Sequence, residues 1–426
     1  MAENFATIEW AAAANIYEVN LRQYTAEGTF TAFEKELPRL REMGVDILWF
    51  IPVTPISIEK RQGTLGSYYA CSDYTSTNPE FGSLDEFKSL VNSAHALGFK
   101  VLIDWVANHT GWDHKWTKEH PDFYKVNAAG EFYEANGWID VIDLNYDSYS
   151  LRHEMVEAMK FWVRECNIDG FRCDMAHLVP LDFWIDARTQ LDEMKPLFWL
   201  AECEVPEYHK VFDATYAWKL LHAMEALYKG KAPLKDLKKV FEEYDQDFPK
   251  EALRLCFTSN HDENSHSGSE YERLGSAAKT FGVLCATYKN SLPLIYSGQE
   301  MPNKKRLLFF FKDAIEWTGQ YLLHDFYKVL LGLRKYHPAM RAGDPSIKTY
   351  HLQTTSDENV LAFIRDKDEH SVLVILNLSN NAKLKFQLSN FAATGKYESI
   401  FSGLEFHIND ETVFEMQPWE YLVYVK

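Results

Sequence analysis

The chain has 426 residues, 46% of them hydrophobic and 25% charged, with a formal net charge of −18 at pH 7. That length exceeds one small domain, and so acidic a chain excludes nucleic acid and an anionic membrane face as partners, since both need basic patches. A neutral small ligand suits it better, although solubility alone asks for the same charge.

No stretch reaches the roughly 20 apolar residues of a membrane span. The opening MAENFATIEWAAAANIYEVN has no basic segment leading into an apolar one. A cytoplasmic protein is therefore expected, or a periplasmic or secreted one if a leader has been removed. Cysteines stand singly at 71, 166, 173, 203, 256 and 285 with no CxxC spacing, which reads as reduced thiols, three of them core residues.

In chain order, apolar β-prone runs fall at 15–21 (NIYEVNL), 45–51 (VDILWFI), 100–106 (KVLIDWV) and 168–174 (IDGFRCD). Four more follow at 197–202 (LFWLAE), 211–216 (VFDATY), 253–259 (LRLCFTS) and 292–298 (LPLIYSG). The segments between them carry helical periodicity. In GSLDEFKSLVNSAHALGFK, Ser83 and Glu86 form a capping box, apolar residues recur from Leu84 to Leu97 at helical spacing, and Gly98 supplies the stop. Eight such units predict a parallel sheet closed into a (β/α)8 TIM barrel. A doubly wound sheet would share the alternation, but no glycine-rich phosphate loop follows any run.

The connection after the third run is long and rich in Trp, His, Asp and Gly, the mark of a functional excursion. The barrel is thus assigned to 1–105 and 150–345, with an insertion at 106–149. From 346 to 426 the pattern becomes strict alternation (TYHLQT, VLAFIR, SVLVILNLS), which predicts a C-terminal antiparallel β-sandwich.

Active-site groups of such a barrel sit at the carboxyl ends of its strands. The third run carries Asp104, Asn108 and His109 there; the fourth carries Arg172 and Asp174, two apart and therefore on one face. The fifth ends in Glu202, and the seventh in Asn260, His261 and Asp262. Taken singly, Asp104 reads as a hydrogen-bonded structural carboxylate, Arg172 with Asp174 as an ion pair, and the rest as loop polarity or turn and cap residues. Buried charge is costly unless paired, so convergence of all four sets on one barrel face points to chemistry. Paired carboxylates at a sugar-sized hollow suit glycosidic bond cleavage.

These residues resemble the α-amylase family, glycoside hydrolase family 13, over nearly the whole chain. The D-x-x-x-N-H block appears as DWVANH, G-x-R-x-D as GFRCD, the apolar strand ending in Glu as FWLAE, and F-x-x-N-H-D as FTSNHD, all in order. The resemblance implies a retaining α-glucan hydrolase acting on starch-type polysaccharides or maltooligosaccharides. Glucanotransferase or α-1,6/maltogenic specificity is the alternative on the same scaffold, and a non-catalytic carbohydrate-binding protein is disfavoured because all three acids stand. Asp174 would be the nucleophile, kept ionised by Arg172; Glu202 the acid and base; Asp262 the grip on the reacting ring. His109 and His261 would hydrogen-bond that ring, Tyr69 would stack on it, and Asp104 would orient the site from below. The insertion would be the family's domain B, a cleft wall bearing Trp112, Trp116 and Trp138.

The chain also departs from the family. Tyr68 stands where close relatives often have Pro, and His177 where many amylases place a Lys near the leaving-group sugar. Asn108 and Asp143 match two positions of a Ca²⁺ site that many amylases hold between barrel and domain B, so calcium is an expected candidate rather than a requirement. The acidic metal loop of the oligo-1,6-glucosidase subgroup is replaced by YTAEGTF. Oligomeric state is not legible.

Overall fold

The computed structural model describes Phe5, residues 8–389 and residues 393–426. Eight parallel strands close into a barrel: β1 (Ile16–Val19), β2 (Ile47–Phe50), β3 (Lys100–Trp105), β4 (Gly170–Cys173), β5 (Phe198–Ala201), β6 (Ala214–Tyr216), β7 (Leu253–Cys256) and β8 (Ser291–Tyr296). Seven lie within the apolar runs, and β8 begins one residue before the eighth. The strands are buried along their length, as expected when helices cover the outside and side chains fill the inside.

The helix Leu84–Ala96 forms as its sequence predicts. Ser83 accepts from the Glu86 amide, and Glu86 reaches back to the Ser83 amide at 2.7 Å. Its apolar stripe of Phe87, Leu90, Val91 and Ala94 is buried. In the GFRCD block, a Cβ at Gly170 would meet the Phe198 carbonyl oxygen at 2.0 Å, so close β4–β5 packing admits only glycine.

Between β3 and the helix Tyr149–Cys166, the chain forms a short ribbon of His109–Gly111 against Val141–Asp143. The C-terminal part is a six-stranded antiparallel sheet backed by a two-stranded ribbon, Leu384–Phe386 with Phe414–Met416. Alternation divides its faces. Leu361, Phe363, Val372, Val374 and Leu376 join the barrel's core, whereas Val360, Ala362, Ile364, Leu373 and Ile375 pack with Phe386, Phe414 and Met416. The sandwich is thus lopsided, with the barrel itself covering most of one sheet face.

All six cysteines are free and buried. Among the described residues, no helix is long and apolar enough to cross a membrane.

Candidate active site

Parallel register sets the centre of the site. Asp104 on β3 lies directly beside Arg172 on β4, and Arg172 beside Leu200 on β5. Arg172 Nη1 donates to Asp104 Oδ1 and Asp174 Oδ1, each at 2.9 Å, and Nε donates to Tyr216 Oη at 3.1 Å. Nη2 lies 2.9 Å from Glu202 Oε2, without hydrogen-bond alignment. That oxygen also accepts from the Met175 amide at 2.9 Å. One buried guanidinium therefore touches carboxylates from three neighbouring strands.

Asp104 has a full set of donors. Besides Arg172, its Oδ2 accepts from Trp49 Nε1 at 3.2 Å and Tyr69 Oη at 3.1 Å. It does not line the cavity, and it holds the groups that do.

A second chain of contacts runs behind Asp262. His261 Nδ1 lies 2.5 Å from Glu18 Oε1, and Nε2 lies 2.6 Å from Tyr69 Oη and 3.3 Å from Asp262 Oδ2. Burial depresses the His261 pKa, but the Asp262 and Glu18 carboxylates outweigh it and raise the value to about 9. A doubly protonated imidazole gives the network a consistent direction: His261 donates to Glu18 and to Tyr69, and Tyr69 donates to Asp104.

Asp174 and Glu202 titrate above the usual carboxylate range. Burial lifts Asp174 to about 6; Arg172 opposes the rise, and Asp104 and Asp262 add to it. Burial likewise lifts Glu202 to about 7 against Arg172, with Asp174 and Asp262 adding. Arg172 acts in the expected direction, lowering the Asp174 pKa, but it does not set the net result. Four crowded carboxylates and the loss of water outweigh one cation.

A cavity of about 320 Å³ opens above these groups, lined by Tyr69, His109, Asp174, Glu202 and Asp262 together with Trp138, Met175, His266, Phe309 and Phe310. Arg172 and His261 stand behind the lining. His177 does not line the cavity: Met175 takes a left-handed conformation at φ +41°, and the following turn leaves His177 exposed while Met175 faces the hollow. Of the three insertion tryptophans, only Trp138 reaches the cavity, against His109. Trp116 is buried against Tyr74, His114 and Phe123, and Trp112 carries Lys60 over its ring.

Glu18 and Tyr216 escaped the reading of the sequence. Glu18 carried the same signal as Asp104, a carboxylate inside an apolar strand.

Asn108 and Asp143 lie at the ribbon that faces the barrel, where the Leu144 amide donates to the Asn108 carbonyl. Asp143 Oδ2 accepts from Lys125 Nζ at 3.2 Å, and the Asn108 amide nitrogen lies 3.3 Å from His109 Nδ1. Among the described residues, no group of three or more His, Cys, Asp or Glu side chains is placed to hold a metal ion. Calcium takes about 6–8 oxygens; Asp143 Oδ2 is held by Lys125, while its Oδ1 is buried without a hydrogen-bond partner, so the two matched side chains supply few of them.

Residues 23–133 and 123–213 match the α-amylase catalytic domain, and residues 350–423 match the maltogenic amylase C-terminal domain. The chain carries an α-amylase catalytic domain with a maltogenic amylase C-terminal domain. The α-amylase MalA of Haloarcula japonica is 25% identical over 87% of this chain, which spans 56% of that relative's length. Among solved structures, the maltogenic α-amylase AmyB of Thermotoga neapolitana is 27% identical with a TM-score of 0.88, covering 97% of this chain and 99% of that chain. An α-amylase of Lactobacillus plantarum is 26% identical with a TM-score of 0.87, covering 98% and 99%.

Proposed function

We propose that the protein is a retaining α-glucan hydrolase that cleaves α-1,4-glucosidic bonds of maltooligosaccharides or starch-type chains. The observation that carries this reading is the contact of Asp174 and Glu202 with adjacent nitrogens of one guanidinium. That arrangement keeps the two carboxylates close, as a retaining pair at roughly 5–5.5 Å requires.

In the first step Asp174 attacks the anomeric carbon, while Glu202 protonates the departing glycosidic oxygen. Ionised Asp174 is the nucleophile and protonated Glu202 the acid, and burial orders them correctly, with Glu202 the weaker acid. In the second step Glu202, now a base, takes a proton from water, which displaces Asp174 and releases the sugar. Asp262, half-buried at the cavity wall, accepts hydrogen bonds from the ring hydroxyls as the ring distorts. Tyr69 offers its face to the same ring, and His109 an imidazole edge. Burial lowers the His109 pKa to about 4, so it acts as a neutral hydrogen-bonding group. His261 acts from behind by fixing Tyr69 and Asp262.

Reducing-sugar release from soluble starch and maltoheptaose tests the reading, with Asp174→Asn as control. Release by the parent and its collapse in the variant support it; equal release by both overturns it. An oligosaccharide ladder growing beyond the input would assign transfer to a sugar instead of water. The relatives named for maltogenic action make the product profile from starch, pullulan and cyclodextrin the measurement that fixes linkage and chain length.

A further inference from the structure

Phe309 and Phe310 line the cavity, yet they belong to none of the blocks that carry the family resemblance. They lie in the connection after β8, within an apolar stretch LLFFF (307–311) that would ordinarily be buried as core. Here it is loop, and its Leu308 and Phe311 are exposed. Phe309 lies nearly parallel to Tyr69, with centroids 6.3 Å apart at 13°, and 5.0 Å from the His266 ring.

The connection is pinned in place. Arg22, in the short helix Leu21–Tyr24 that follows β1 and fully buried, spends all five of its N–H donors. Nε and Nη2 grip Glu80 at 2.8 and 3.0 Å, Nη1 reaches the carbonyls of Gly66 and Phe309 at 2.9 and 3.3 Å, and Nη2 reaches Leu65 at 3.3 Å. Its guanidinium lies 4.1 Å from the centroid of Tyr68, the residue that replaces the family's frequent proline. Neighbouring Gln23 donates to the carbonyls of Leu308 and Phe311 at 2.9 and 2.7 Å and accepts from the Asp313 amide at 2.6 Å.

The loop after β2, which bears Tyr69, is joined to it directly. The Leu65 amide donates to the Phe310 carbonyl at 3.0 Å. Gly63, at φ +61°, approaches so closely that an added Cβ would meet Phe310 Cβ at 2.6 Å. Two loops from opposite ends of the barrel sequence thus form one rigid aromatic wall beside the acids.

We propose that this wall determines substrate length: Phe309 and Phe310, clipped to the Tyr69 loop by Arg22, close one end of the cleft so that short maltooligosaccharides are preferred over long chains. The size of the hollow agrees. Its 320 Å³ sits at the small end of the roughly 300–1,000 Å³ typical of ligand sites, with room for few sugar rings. Arg22 is a positioning residue here, since it touches the wall and not the substrate. The inference rests on the α-glucan hydrolysis proposed above.

The test compares kcat/KM for maltoheptaose with that for maltotriose in the parent, Phe309→Ala, Phe310→Ala, Phe310→Leu and Arg22→Lys. Removing a ring opens the closed end, so the maltoheptaose-to-maltotriose ratio rises by about tenfold in the alanine variants. Phe310→Leu moves it the same way by less, and so does Arg22→Lys, which keeps the charge but cannot make the forked contacts. Phe310→Leu retains most of the buried volume and decides the matter if an alanine variant fails to fold. If the ratio is unchanged in every folded variant, the wall is structural and the proposal is overturned, whatever happens to overall rate. If the parent releases no sugar from any α-glucan, it is the hydrolase reading that fails.

Discussion

Arg172 Nη2 lies 2.9 Å from Glu202 Oε2, so the side chain that steadies the proposed nucleophile also touches the proposed acid. The contact stabilises the ionised form of Glu202 and works against its role as proton donor. Burial and the neighbouring acids prevail, and the balance is adjustable by changing the cation.

Arg172→Lys keeps a positive charge but loses the fork that reaches three carboxylates and Tyr216. The expected result is a fall in kcat of about 100-fold or more, from misplacement of both acids. Arg172→Ala leaves buried carboxylates uncompensated and lowers stability by about 3–5 kcal/mol. Thermal melts beside initial rates separate the two effects.

The pH–rate profile is expected to be a narrow bell. Activity needs Asp174 ionised, so it rises as pH passes about 6. It needs Glu202 protonated, so it falls as pH passes about 7. The two limbs belong to the coupled pair rather than to either residue alone. In Glu202→Gln, kcat on maltooligosaccharides falls by about 10²–10⁴-fold. An aryl α-glucoside with an acidic phenol, which leaves without a proton, loses far less in its first step. Equal losses on both substrates would contradict the acid role.

How much of this was legible in the residues differs from group to group. The eight strands and the carboxylates at their ends could be read because apolar runs and period-2 spacing are local properties. Glu18 was readable by the rule that found Asp104, and was passed over because it falls in none of the four blocks that carry the resemblance. The Arg22–Tyr68 pairing could not be read, since it depends on loops brought together across the closed barrel. His177 was named by resemblance, which gives no account of the left-handed turn at Met175 that leaves it exposed outside the cavity. Nor does spacing show how deeply Asp174 is buried or which carboxylates crowd it, and burial first, then those neighbours, raise its pKa.

His261 links stability to pH. Its folded pKa of about 9 lies above the unperturbed value of about 6.5. Its contribution is therefore fully present below about 6.5 and is lost as pH rises through about 9. The melting temperature of the parent should fall across that window, and that of His261→Gln should fall less. Glu18→Gln removes one of the two raising charges and should move the transition to lower pH.

Lys125 provides a positive charge at Asp143, one of the two positions where calcium was expected. A chelator is expected to leave both the melting temperature and the rate unchanged. Lys125→Met strands a buried carboxylate and should cost about 1–3 kcal/mol. A chelator-induced fall in melting temperature, reversed by calcium, would show that the ion pair is not the native state of that site.

The most direct test of the account is to trap the glycosyl-enzyme. A fluorinated α-glucosyl fluoride that forms the intermediate quickly and hydrolyses slowly should add one sugar mass to the protein, and peptide mapping should place it on Asp174. Labelling of Asp262 or Glu202 instead, or turnover with inversion and no adduct, would contradict the proposed nucleophile and with it the retaining mechanism.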